Sequence, residues 1–174
     1  MSHRLSRRRY VAGTGAALTL GTLAGCSGGS DGGDGGNGGN GGDDGGEALD
    51  DVPSEIDEYL SAGEARLYDG TIDDYTRQDE VTVSVGAGDV GFAFDPAAIR
   101  IDSGTTVVWE WTGEGGAHNV VSAEESASDF ESGDAVDDEG ATFEQSFDDA
   151  GIQLYYCLPH ETSGMIGAID VVES

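Results

Sequence analysis

Cys157, His160 and Met165 stand in the run Tyr156-Cys157-Leu158-Pro159-His160-Glu161-Thr162-Ser163-Gly164-Met165, a C-x2-H-x4-M spacing that collects a thiol, an imidazole and a thioether in one short segment. Thiolate and thioether are soft ligands matched to Cu(I), and imidazole also serves Cu(II), so the set suits copper better than other common metals. A His2Cys plane with a weak axial Met is a copper electron-transfer arrangement, and the segment lacks one histidine for it. Of the three histidines in the chain, His3 lies among the arginines of the N-terminal leader. His118, in Gly115-Gly116-Ala117-His118-Asn119-Val120, is the remaining candidate. Each residue taken singly has a plainer reading: a turn histidine, an inert buried cysteine, a methionine filling a core. It is the conjunction in one segment, with an upstream His-Asn pair, that points to a metal.

Such a segment needs a rigid frame, and the sequence from Glu80 onward supplies the pattern for one. Val81, Val83 and Val85 alternate with polar residues, as do Phe92 and Phe94 with small ones, Ile99 and Ile101 around Arg100, and Val107, Trp109 and Trp111 around Val108 and Glu110. Further strands are expected at Asn119–Ser122, Ala141–Phe147, Ile152–Tyr156 and Ile166–Val172, with Gly- and Asp-rich turns between them. Seven to eight short strands in residues 80–174 predict an all-β sandwich of Greek-key type. The tryptophans and phenylalanines are read as its core, and the acidic stretch Ser122–Gly140, without a strand pattern, as a surface excursion. Residues 47–79 form a lead-in. Pro53 sits near a helix start, and Ile56, Tyr59 and Leu60 mark one apolar face of a short helix. Tyr68, Ile72 and Tyr75 either continue that packing or belong to a mobile stretch.

The leader and tether determine where the frame would reside. Residues 1–25 carry Arg4, Arg7, Arg8 and Arg9 without an acid, followed by an apolar run from Val11 to Ala24. That run is shorter than the ~20 apolar residues a bilayer span needs, so an export signal fits better than a retained anchor. Ser6-Arg7-Arg8-Arg9-Tyr10-Val11 resembles a twin-arginine signal, and Leu23-Ala24-Gly25-Cys26 resembles a lipobox that would leave Cys26 lipidated. A chance cysteine, or a disulfide from Cys26 to Cys157, is the competing reading. With Cys26 assigned to the leader border, three Cys and His ligands remain, one short of a structural zinc site. Residues 26–46 read as a flexible tether, with 12 glycines between positions 27 and 46.

All 35 acidic residues lie beyond residue 25, where only Arg66, Arg77 and Arg100 oppose them, and the chain has no lysine. Charge of one sign at this density destabilises a compact state unless it is strongly screened, which predicts a high-salt setting. No basic footprint exists to neutralise phosphates, so nucleic acid is not an expected partner.

With these motifs in view, residues 80–174 resemble the cupredoxins, the small blue copper proteins, in their halocyanin and plastocyanin branch. The resemblance rests on Phe94-Asp95-Pro96, Gly104-Thr105-Thr106-Val107, Trp109, Gly116-Ala117-His118-Asn119-Val120, Tyr156-Cys157-Leu158-Pro159-His160 and Gly164-Met165-Ile166-Gly167, in that order. It implies one type 1 copper ion, with His118, Cys157 and His160 as equatorial ligands, Met165 as axial ligand and Asn119 hydrogen-bonded across to the cysteine loop. It further implies a non-enzymatic, monomeric carrier of single electrons between membrane-bound or peripheral redox proteins. The carrier would be held to the outer face of the cell membrane through Cys26. Pro159 is expected to stiffen the loop, and Gly164 and Gly167 to let the backbone pass close to the metal. Tyr155 or Tyr156 is a candidate electron path, with plain packing as the alternative. Glu161 departs from the Gln often found in plastocyanins and makes the docking face more acidic. Copper storage or delivery by the same ligands is the rival function.

Overall fold

The computed structural model describes residues 46–174; the expected leader, Cys26 and the tether as far as residue 45 lie outside them. Ten strands and one helix follow in the order β1 (Glu47–Leu49), α1 (Ser54–Ala62), β2 (Ile72–Asp74), β3 (Glu80–Ala87), β4 (Ala93–Asp95), β5 (Ala98–Asp102), β6 (Thr106–Trp111), β7 (Val121–Ser122), β8 (Thr142–Ser146), β9 (Gly151–Tyr156) and β10 (Ile166–Val172). They form two mixed sheets, one of six strands in the order β1-β2-β5-β10-β9-β7 and one of four in the order β4-β3-β6-β8. The eight strands from β3 onward constitute the sandwich that the alternation predicts.

Period-two patterning accounts for the core between the sheets. Val81, Val83 and Val85 turn inward from β3, and Val107, Trp109 and Trp111 from β6. From the other sheet Ile99 and Ile101 of β5, Tyr155 of β9, and Ile169 and Val171 of β10 meet them. Trp109 is fully buried, with Phe143 stacked 5.4 Å away and Tyr155 set edge-on at the same distance.

The six-stranded sheet is covered on its second face as well. Ile56 and Leu60 of α1 pack with Ile72, Ala98, Leu154, Ile166 and Ala168 in a second apolar cluster. Two buried faces explain why β10 reads Ile-Gly-Ala-Ile-Asp-Val-Val with little alternation: Ile166 and Ala168 face the helix while Ile169 and Val171 face the inner core. Residues 47–79 are therefore woven into the sheet. Strand β2 pairs in parallel with β5, and β1 closes on β2. Arg100 on β5 adds a tie, with its Nε 2.8 Å from Asp170 on β10 and its Nη1 3.1 Å from Asp51.

The stretch Ser122–Gly140 departs from the expected surface excursion. Phe130 drops into the inner core, and bridges join Val121 to Glu131 and His118 to Val136. Isolated apolar residues at Phe130 and Val136 leave no periodic trace, so pattern reading passes over them.

The helix–sheet contact gives a first prediction. Leu60→Ala leaves a cavity beneath the six-stranded sheet and should lower unfolding stability by about 2–5 kcal/mol in a urea titration at molar salt. Tryptophan fluorescence and far-ultraviolet dichroism should shift together. A tryptophan transition that does not move would show the helix to be uncoupled from the sandwich.

Candidate metal centre

Strand β9 runs straight into Cys157, and β10 begins at Ile166, immediately after Met165. The pairing of β9 with β10 therefore brings both ends of the segment together. The Cys157 amide donates to the Met165 carbonyl at 3.0 Å, and the His160 amide donates back to the Cys157 carbonyl at 3.0 Å. A 3-10 turn, Glu161–Ser163, completes the loop, and Gly164 follows in the left-handed region at φ 81°.

His118 arrives from the other side of the sequence gap and is held at every polar atom but one. Its amide donates to the Val136 carbonyl at 2.8 Å, and its own carbonyl accepts from the Val136 amide at 2.9 Å and from Trp111 Nε1 at 3.0 Å. Its Nε2 lies 2.8 Å from the Glu114 carbonyl oxygen. A carbonyl can only accept, so Nε2 carries the ring proton and Nδ1 presents a lone pair. That lone pair faces the cysteine loop.

There the donor atoms converge. Cys157 Sγ lies 3.6 Å from His118 Nδ1 and 3.6 Å from His160 Nδ1, and the two ring nitrogens are 3.1 Å apart. The point equidistant from the corners of such a triangle is about 2.0 Å from each, close to the bond lengths that imidazole nitrogen (about 2.0–2.1 Å) and thiolate sulfur (about 2.3 Å) make to zinc, a first-row metal. Among the described residues this is the one group of His, Cys and acidic side chains disposed for a metal. Met165 is fully buried at the end of the same loop, where its carbonyl accepts the Cys157 amide.

Burial acts on the protonation of the donor groups. It pushes the Cys157 thiol above its ordinary pKa, with the amides of Asn119 and His160 pulling the other way. It pushes His118 below the usual imidazole value, against the pull of the Glu114 carbonyl and with the help of neighbouring His160. A neutral thiol and a neutral imidazole face each other, so a metal cation that binds there displaces one proton from sulfur.

Several neighbours hold this arrangement. The Leu158 amide donates to Asn119 Oδ1 at 2.9 Å, and Asn119 Nδ2 donates to the Gly133 carbonyl at 3.2 Å, tying the cysteine loop to the His118 segment and to the 122–140 stretch. Phe92 stacks on the His160 ring with centroids 4.3 Å apart and planes 18° apart. Sequence patterning marks Phe92 only as a strand residue, and it carries no signal for Glu114, whose contribution is a backbone carbonyl. A side chain at Gly164 would strike the Glu64 carbonyl and one at Gly167 the Tyr155 ring, so both glycines permit a close approach of protein to protein.

Residues 80–172 match the family of copper binding proteins described as plastocyanin/azurin. The chain belongs to that family. Halocyanin of Natronomonas pharaonis is 60% identical over 167 residues, which span 96% of this chain and 98% of that protein. Plastocyanin of Scenedesmus fuscus is 34% identical over 98 residues, 53% of this chain and 99% of its own. Among solved structures, oxidised plastocyanin from Dryopteris crassirhizoma covers 53% of this chain and 100% of its own at 27% identity, with a TM-score of 0.45. The cofactor is one type 1 copper ion, and the protein is an electron carrier of the cupredoxin kind. No helix among the described residues is long and apolar enough to cross a membrane.

Asn119→Ala removes the tie between the two ligand-bearing segments. Copper affinity, measured by competition with a chelator, should fall about 10–100-fold while the fold persists. An unchanged affinity would show that the Leu158 and Gly133 contacts do not position the site.

Proposed function

We propose that His118 Nδ1, His160 Nδ1 and Cys157 Sγ would hold the copper ion, with the Met165 thioether as a fourth, weaker ligand. The observation that carries this reading is the triangle of donor atoms with sides of 3.1, 3.6 and 3.6 Å, whose third corner comes from a segment 39 residues before Cys157. Copper, when bound, supplies a one-electron Cu(I)/Cu(II) couple. The chain supplies the rest. Cys157 and His118 are fully buried, which keeps water from the donor atoms, and hydrogen bonds of the His118 backbone with Val136 and Trp111 and of its ring with the Glu114 carbonyl fix the residue whether or not an electron is present. Ligands that do not move on electron transfer keep its barrier low.

His160 is the half-buried member of the triangle and reaches the surface beside Leu158, which is 62% exposed. An electron enters and leaves through this edge, and Glu161 sets acidic charge next to it. No substrate is transformed. The protein operates outside the cell in strong salt. A twin-arginine leader (1–25) exports it, a lipidated Cys26 anchors it to the membrane's outer face, and the 26–46 tether gives it reach toward respiratory redox partners. Two lipid chains on Cys26 would make that anchoring stable, where one would bind marginally. Copper storage or delivery requires ready release, and the full burial of Cys157 and His118 works against it.

Titration of the purified protein with Cu(II) at high salt should give an intense thiolate-to-copper absorption band and a reversible one-electron voltammogram. Weak colour with rapid loss of Cu(I) to a modest chelator would contradict the carrier and favour delivery. Cys157→Ser should abolish the band with the far-ultraviolet dichroism unchanged. Met165→Leu should keep the band and raise the reduction potential, because the axial ligand tunes it.

A further inference from the structure

The turn between His160 and Met165 is not held by its own residues alone. Inside the loop, Ser163 and Met165 donate their amides to the His160 carbonyl at 2.9 and 3.2 Å, and Gly164 donates to Glu161 at 2.9 Å. The carbonyls of Ser163 and Gly164 point the other way, and both are taken by one residue from almost a hundred positions earlier. Arg66 Nε donates to the Ser163 oxygen at 2.7 Å, and the Arg66 backbone amide donates to the Gly164 oxygen at 2.9 Å. We propose that Arg66 is a positioning residue for the copper loop, clamping the turn that carries His160 and Met165 from a segment outside the matched family region. This rests on the reading of those two residues as copper ligands.

Three further observations make the contact a clamp and not a chance surface bond. Arg66 stands on a rigid base: Ile56 and Leu60 of α1 are fully buried against the sheet, Tyr59 donates its hydroxyl to the Tyr155 carbonyl at 3.2 Å, and the Ala65 amide bonds the Leu60 carbonyl at 2.8 Å. The two backbones are also in direct contact, since any side chain at Gly164 would collide with the Glu64 carbonyl. Lastly, Glu64 and Leu67, on either side of Arg66, sit in the left-handed region at φ 50° and 63°. Residues other than glycine stay there only where their surroundings over-determine the conformation.

Electrostatics does not explain Arg66. In a chain with 35 acids it forms no ion pair among the described residues, and the ion pairs found there belong to Arg100. Its guanidinium is used as a directional donor to a backbone oxygen, which a lysine ammonium on a flexible stem does not reproduce. The matched family region starts at residue 80, so the clamp is an addition made by the lead-in. Its consequence falls on the loop: with the Ser163 carbonyl released, the turn gains freedom, and His160 and Met165 on either side of it gain the same freedom.

Arg66→Ala, Arg66→Lys and Arg77→Ala are compared in the purified protein at high salt. Arg77 supplies the charge control, because among the described residues its side chain has no hydrogen-bond or ion-pair partner, while its backbone amide donates to Asp102. Arg66→Ala should keep the blue band, yet lose Cu(I) to a chelator about tenfold faster or more. In the copper-free protein its Gly164 and Met165 amides should exchange with solvent correspondingly faster. Arg66→Lys should behave as Arg66→Ala does and carries the test if the alanine variant does not fold, whereas Arg77→Ala should match the parent. Parental copper release and amide exchange in Arg66→Ala would overturn the proposal, as would equal changes in Arg77→Ala. A parent protein that never turns blue would instead defeat the ligand assignment, and amide exchange in the copper-free chain would still judge the clamp.

Discussion

Everything in this structure depends on bringing three donor atoms to within 3.6 Å of one another when two of them share a loop and the third lies 39 residues earlier. Such a triangle does not form by local preference, because a histidine after a glycine-rich turn has no reason of its own to meet a cysteine at a strand end. The sandwich imposes the meeting. Pairing of β9 with β10 closes the cysteine loop, and pairing of β7 with β9 carries the His118 segment alongside it. Copper changes its preferred surroundings between its two oxidation states, so a carrier works best when the protein sets the ligand positions.

The polar contacts around the triangle perform that task with backbone groups more than with side chains. His118 is fixed by the Val136 peptide and the Glu114 carbonyl, the cysteine loop by the Met165 carbonyl, and the outer turn by Arg66. Backbone partners do not change rotamer, and buried ones have no water to compete with them. Asn119 is the side chain that joins the two halves, and Phe92 covers the half-buried ring of His160. The dense negative charge elsewhere on the chain acts on solubility and on the range of encounters, not on these short contacts.

The C-x2-H-x4-M spacing predicted one loop with three donors because sequence neighbours flanked by strands cannot be far apart. His118 was legible by elimination, since the chain has only two other histidines. Alternation in β3 and β6 gave the inner core, and the spacing of Ile56 and Leu60 gave the helix face. What remained hidden is what two-residue and 3.6-residue periods do not encode. The bridge from Val136 to His118, the β1–β2 addition to the sheet and the reach of Arg66 to Ser163 are all contacts across long sequence separations by residues without a pattern. The packing of Gly167 against the Tyr155 ring is another contact that no sequence period encodes.

If the protein, and not the oxidation state of the metal, fixes the ligand geometry, X-ray absorption at the copper edge should show it in the Cu(II) and Cu(I) forms of the same preparation. A shell of two nitrogens and one short sulfur is expected in both forms, with distances that barely change on reduction. Loss of a nitrogen on reduction, or an added oxygen shell on oxidation, would contradict it.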